Sequence, residues 1–265
     1  MKTTGEAKTL PKLSKQDKNK EQQPPKIKIM LHTINSKSWT AKEERKENKL
    51  SKAALLCHNL IIIDESGSMG SIYNQALTGM NETLQTIREA ERQHPEKAQK
   101  VTLVTFNTAH YNELYKETPA SETKDIDRDS YNPDACTPLL DALGKALTDL
   151  KKEVKDDEMV YVTIITDRME NASNEFSGEA IRRMIDELSE KGWIFSYIGA
   201  NQDAIRVAES LSIKDALNFL ATPQGAQAMW AKERIARLQA YDDESFWETE
   251  PEKRNRGIKG KLFNL

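Results

Sequence analysis

The stretch Leu60-Ile61-Ile62-Ile63-Asp64-Glu65-Ser66-Gly67-Ser68-Met69 joins an unbroken apolar run to one carboxylate and two hydroxyls at alternate positions. Such side chains are hard oxygen donors. They suit Mg²⁺, which takes about six oxygens near ~2.1 Å and keeps waters beside one or two carboxylates. The apolar run reads as a strand buried on both faces, of the kind found in parallel sheets covered by helices. The polar cluster then falls just past the strand's C-terminal end, where open α/β sheets bind their ligands. This is half of a cation site, and other loops must supply the rest. Cys136-Thr137-Pro138-Leu139-Leu140 places a threonine hydroxyl just before a helix, and Val162-Thr163-Ile164-Ile165-Thr166-Asp167 is a second apolar strand ending in a carboxylate. Asp64, Ser66, Ser68, Thr137 and Asp167 are the candidate metal-binding set. Glu65, out of step in an extended segment, is left outside it. Asp141, one helical turn past Thr137, is expected to be a helix-surface or loop-tethering carboxylate rather than a metal ligand.

Positioning these residues requires alternating strands and helices. Strands are expected over His58–Ile63, Val101–Phe106, Met159–Ile165, Trp193–Ile198 and Ala216–Leu220. The spacing of Leu77, Met80, Leu84 and Ile87 predicts a helix ending near His94-Pro95, and Leu140, Leu143, Leu147 and Leu150 predict the next. Glu179–Glu190 is a helix burying Ile181, Met184, Ile185 and Leu188. Helices also cover Asp203–Leu211 and Pro223 to about Ala240, where proline suits the first helical turn. Ser121–Asp134 is polar and irregular. This alternation predicts an α/β fold: a doubly wound, Rossmann-like, mostly parallel central sheet with helices on both faces.

The order Asp-x-Ser-x-Ser, then Thr, then Asp resembles the metal-ion-dependent adhesion site of von Willebrand factor A-type domains. Asp64-Glu65-Ser66-Gly67-Ser68, Thr137 and Asp167 carry the resemblance. It implies one antiparallel edge strand, here Tyr111–Tyr115 paired with Val101–Phe106. It implies direct metal binding by the Ser66 and Ser68 hydroxyls. Thr137 binds directly or through water, and Asp64 and Asp167 act through waters or hydrogen bonds. The cation, Mg²⁺ or Mn²⁺, then keeps one position open for a carboxylate of a partner protein. The resemblance extends over about Asn59 to Leu238. Glu170-Asn171-Ala172-Ser173, Gly192-Trp193-Ile194-Phe195 and Gly199-Ala200-Asn201-Gln202-Asp203 look like a group of small uncharacterised bacterial and phage A-type proteins. Intracellular bacterial members often work beside AAA+ ATPases, kinases or phosphatases. One departure stands out: Arg168 follows Asp167 where the family commonly has Gly. Its charge can pair with Asp167 and compete with a cation, turn outward, or greet an acidic partner.

The 265 residues allow one domain of about 200 residues plus tails. The expected division is a basic arm over 1–52, the A-type domain over 53–240 and a tail over 241–265. The arm carries a net charge of about +8. Met1–Pro25 is expected to be disordered, Lys26–Leu31 alternates Lys and Ile as a short edge strand would, and Lys42–Lys52 suits a helix. A basic arm is ordinarily a solvated tail, with contact to nucleic acid or an acidic partner as the minority reading; the net charge of −3 for the whole chain does not by itself point to nucleic acid. The C-terminal tail is expected to be disordered or loosely packed on the domain, with a docking segment anchored by Phe246 and Trp247 as the alternative. Two cysteines are too few for a disulfide framework, and Cys57 reads as a small core residue. The first residues lack the apolar core of a secretion signal, and no apolar run approaches ~20 residues, so a cytoplasmic protein without membrane contact is expected.

A non-enzymatic, cation-dependent protein-interaction module is the leading function class. A metal-free A-type scaffold is the alternative that Arg168 favours. A haloacid-dehalogenase-like aspartyl phosphotransferase would need an acid two positions after Asp64, where Ser66 stands. Gly67-Ser68-Met69-Gly70 lacks the Lys of a P-loop, and Glu65-Ser66-Gly67 lacks the leading Gly of a hydrolase elbow. His32, His58, His94 and His110 have no zinc spacing and are expected at the surface or at strand ends. Asn201, Gln202 and Asp203 suit a helix cap, with a place on the site's rim as the alternative.

Overall fold

A computed structural model describes residues 55–168, 170–200, 204–257 and 261–263. The expected arm over 1–52 and the Asn201–Asp203 cap lie outside the described residues. The strands are β1 (Leu55–Asp64), β2 (Lys97–Phe106), β3 (Tyr111–Pro119), β4 (Met159–Thr166), β5 (Ile194–Ala200) and β6 (Asp215–Phe219). The helices are α1 (Tyr73–Gln93), α2 (Leu139–Leu150), α3 (Gly178–Glu190), α4 (Ala204–Ser210), α5 (Pro223–Asp242) and α6 (Pro251–Gly257). The sheet runs in the order β3-β2-β1-β4-β5-β6. Every neighbouring pair is parallel except β2 with β3. The doubly wound α/β expectation holds, including its antiparallel edge.

The period-two alternation of β1 explains the two-sided core. Ile61 and Ile63 join Met80, Leu84, Ile87, Met229 and Trp230 beneath α1 and α5. Leu60 and Ile62 join Leu143, Leu147, Ile181 and Ile185 beneath α2 and α3. All four β1 residues are buried, as a strand covered on both faces must be. Pro223 starts α5 behind Thr222, whose hydroxyl accepts the Gly225 N–H at 3.1 Å.

Strand order decides where a ligand can sit. From β1 the chain steps outward to β2 and β3, then returns to β4 on the other side of β1. That reversal opens a crevice between the C-terminal ends of β1 and β4, where Asp64 and Asp167 lie.

One alternative and one expectation are overturned. Phe246 and Trp247 are buried in the chain's own core, not held out as anchors for a partner. Phe246 packs edge-on against Tyr161 and Tyr241, and the Trp247 indole N–H donates to the Tyr241 carbonyl at 2.8 Å. Aromatic area of this size is more stable against the chain's own rings than in water. His58 is buried within β1, with Nδ1 2.7 Å from Glu117 and Nε2 3.1 Å from Glu158. Two carboxylates offset the cost of burying the imidazole, so it need not sit at a strand end. Among the described residues no helix is long and apolar enough to cross a membrane.

Candidate metal centre

The loop after β1 turns sharply because the Asp64 carboxylate accepts the Ser66 N–H at 2.7 Å, a local bond typical of Asp at turns. The other Asp64 oxygen accepts the Thr166 hydroxyl at 2.6 Å. Thr166 follows Ile165, the last β4 residue paired across to β1, so this bond closes the bottom of the crevice. Ser66 Oγ lies 3.2 Å from Ser68 Oγ, and the Ser68 hydroxyl donates to Asp167 at 2.6 Å. Asp64, Ser66, Ser68 and Asp167 therefore form one hydrogen-bonded group from two loops.

Thr137 reaches the same end of the sheet on a third loop. The Gly67 N–H donates to the Ala135 carbonyl at 3.2 Å, which ties that loop to the serines. Ala135 holds a φ of 62°, a left-handed conformation that costs free energy for a residue with a Cβ and often marks functional loops. The Thr137 hydroxyl is fully buried and has no hydrogen-bond partner among the described residues. A buried hydroxyl without a partner is costly, of order 1–3 kcal/mol.

Electrostatics sets this rim apart. Burial pushes the Asp64 carboxyl up to about 6 against the opposing hydrogen bonds of Thr166 and Ser66, and neighbouring Asp167 adds to the rise. Burial also raises Asp167, while the Ser68 hydroxyl and the Arg168 charge act to lower it. Two raised carboxyls side by side make a place where added positive charge is favourable. Among the described residues no three carboxylate, imidazole or thiol groups gather into a metal cluster. A cation here would depend on hydroxyls and water as much as on charge.

Acidic and amide side chains hold the surrounding loops, most of them in roles that the sequence did not disclose. Glu65, which bonds outside the serine group, is almost wholly buried. Its carboxylate lies 2.9 Å from His110 Nε2 and accepts the Asn132 N–H. Asp141 tethers a loop as expected, accepting the N–H groups of Asn174, Glu175 and Phe176 at 2.8–2.9 Å. Glu170 accepts the Leu140, Ala172 and Ser173 N–H groups at 2.6–2.9 Å. Asn171 bonds the Thr137 backbone in both directions: its side-chain oxygen accepts the Thr137 N–H at 3.0 Å, and its own N–H donates to the Thr137 carbonyl at 3.3 Å. Gly144 lets the Phe176 ring lie directly on α2, where a Cβ would collide with it. The spacing Glu170-x-x-Ser173, an acid followed by a hydroxyl able to cap a turn, was the available signal.

No protein-family model matches the chain, and no curated protein matches it. Among solved structures the chain is similar to the PilB minor pilin from Streptococcus sanguinis, with a TM-score of 0.51 and 12% identity over 71% of this chain and 62% of the pilin. That likeness shows the fold alone. The vWF domain of the type V pili tip protein Mfa5 from Porphyromonas gingivalis gives a TM-score of 0.49 at 11% identity, over 71% of this chain and 97% of that domain. The SpRpn10 VWA domain gives 0.44 at 13% identity, over 67% and 95%.

Proposed function

We propose that the rim between β1 and β4 binds Mg²⁺ or Mn²⁺ and that a carboxylate of a protein partner completes the ion's shell. Ser66, Ser68 and Thr137 would offer hydroxyls, and Asp64 and Asp167 the negative charge. The observation that carries this reading is the single hydrogen-bonded group formed by Asp64, Ser66, Ser68 and Asp167 at the strand-order reversal. The donor set fits a hard cation. It contains only oxygen, its two carboxyls are raised by burial, and Thr137 holds a buried hydroxyl without a partner among the described residues. When bound, the ion supplies positive charge that an incoming carboxylate can meet; the protein's own work is to hold the oxygens and limit competing negative charge.

The chain acts as an interaction module and not as an enzyme. Position 66 is a serine, so Asp64 has no acid two residues on to shuttle a proton for phosphoryl transfer. A similar fold in a minor pilin suits an interaction role. A second reading, a scaffold without metal, draws on Arg168, whose charge opposes the rise of the Asp167 carboxyl, and on the Ser68–Asp167 bond, which ties the group together unaided.

Thermal unfolding separates the two. Mg²⁺ or Mn²⁺ is expected to raise the melting temperature, and Asp64→Ala to abolish the rise. Identical melting curves with cation and with chelator would favour the metal-free scaffold. For the partner, a set of bound proteins lost with EDTA and with Ser66→Ala supports bridging by metal; a set unchanged by both opposes it.

A further inference from the structure

We infer that Asn171 is a positioning residue for the cation site, setting the direction of the Thr137 hydroxyl; this rests on the cation-binding reading above. The peptide groups on both sides of the Thr137 Cα are held by the same residue, one by the Asn171 side chain and one by its backbone. Pro138 follows and disfavours helical backbone at Thr137. Threonine is β-branched and stiff at χ1. With the backbone pinned on both sides, few positions remain open to the hydroxyl.

Asn171 is itself well placed to do this. It follows Glu170, whose carboxylate gathers the N–H groups of Leu140, Ala172 and Ser173 and also the Ser173 hydroxyl at 2.7 Å. The Ser173 oxygen in turn accepts the Asp141 N–H at 3.1 Å. These bonds fasten the loop to the start of α2, and Asn171 adds the bonds that bear on Thr137. The same loop begins with Asp167. One segment after β4 thus carries a candidate ligand and, four residues on, the clamp on a second ligand from another loop. Such supporting partners hold a metal's ligands in place, and losing one commonly weakens affinity 10–100-fold.

The test is Mn²⁺ binding to the full chain, read by the spin-resonance signal of free Mn²⁺. Asn171→Ala is expected to weaken binding about tenfold or more. Asn171→Asp, which keeps the acceptor, retains most of it, and Asn171→Ser gives an intermediate loss at smaller structural cost. Because the clamp acts through Thr137, adding Asn171→Ala to Thr137→Ala weakens binding little further. Ile185→Val, a core change on α3, lowers stability and leaves affinity unchanged. Wild-type affinity in Asn171→Ala, or a loss that adds in full to that of Thr137→Ala, overturns the inference while the cation site stands. A wild-type chain that binds no Mn²⁺ removes the site and the clamp's role together.

Discussion

Strand β1 buries polar groups at both of its ends, and the two ends behave oppositely. Near its start, His58 lies between Glu117 and Glu158, with Lys100 3.4 Å from Glu117. Burial pushes both carboxyls up, but the hydrogen bonds and charges of His58 and its neighbours outweigh it, and both end below their ordinary range. Beside them, Arg237 is fully buried and pairs with Glu233 at 2.6 Å while donating to Asn59, Tyr241 and Thr163. At the other end of β1, burial wins, and Asp64 and Asp167 are raised. Glu117 and Glu158 are partly exposed and closely partnered, whereas Asp64 and Asp167 are buried, so the lower network serves architecture. The upper one is short of positive charge, and that shortfall is what makes it a candidate site.

The comparison breaks first at Arg237. Arg237→Ala leaves Glu233 buried without its partner and is expected to cost about 3–5 kcal/mol in denaturant unfolding. The cation's effect on melting should survive, because the site lies at the far end of the strands. Loss of both together would mean that the two ends are one unit.

Ser68→Ala comes next. With cation at about 100 times its dissociation constant, binding is expected to add about 2.7 kcal/mol to wild-type stability. In the variant that increment should vanish, whereas in the absence of cation the variant loses only a hydrogen bond of about 1 kcal/mol. An intact cation increment would remove Ser68 from the donor set.

Asp141→Asn is a smaller change. It removes the charge behind three backbone hydrogen bonds and is expected to cost about 1.5 kcal/mol, seen as earlier proteolysis of the 170–176 loop. The smallest effect is a slope. Glu117 and Glu158 are depressed in the folded chain, so the stability they contribute is whole above the ordinary Glu range and is lost as pH falls through their folded values. Unfolding free energy measured against pH should therefore fall less steeply in acid for Glu117→Gln. An unchanged slope would assign the acid sensitivity elsewhere.

Much of the upper rim was legible in the sequence, and little of the lower end was. The runs at Leu60–Ile63 and Val162–Ile165 are buried on both faces, so each strand end is marked by an abrupt polar residue. The helices follow from their repeating leucines and isoleucines. Asp141 was legible for a similar reason, as an acid at a helix start. His58 was not, because its partners are 59 and 100 residues away and Glu117 sits at a left-handed φ of 46° on an irregular strand. No local pattern announces such a meeting. The close packing of the tail was not legible because Phe246 and Trp247 lack the periodicity that marks a core element, although Arg254, also buried, fastens it through the Glu158 and Glu248 carbonyls at 2.9–3.0 Å. Asn171 was hidden in a polar loop whose sequence looks the same whether its side chains face solvent or backbone.

The most direct measurement is a crystal structure grown with Mn²⁺ and analysed by anomalous scattering. An anomalous peak bounded by the Ser66, Ser68 and Thr137 hydroxyls, with Asp64 and Asp167 behind it, is the predicted result. A rim without such a peak, in which Ser68 still donates to Asp167 and Arg168 neutralises it, would contradict the cation site.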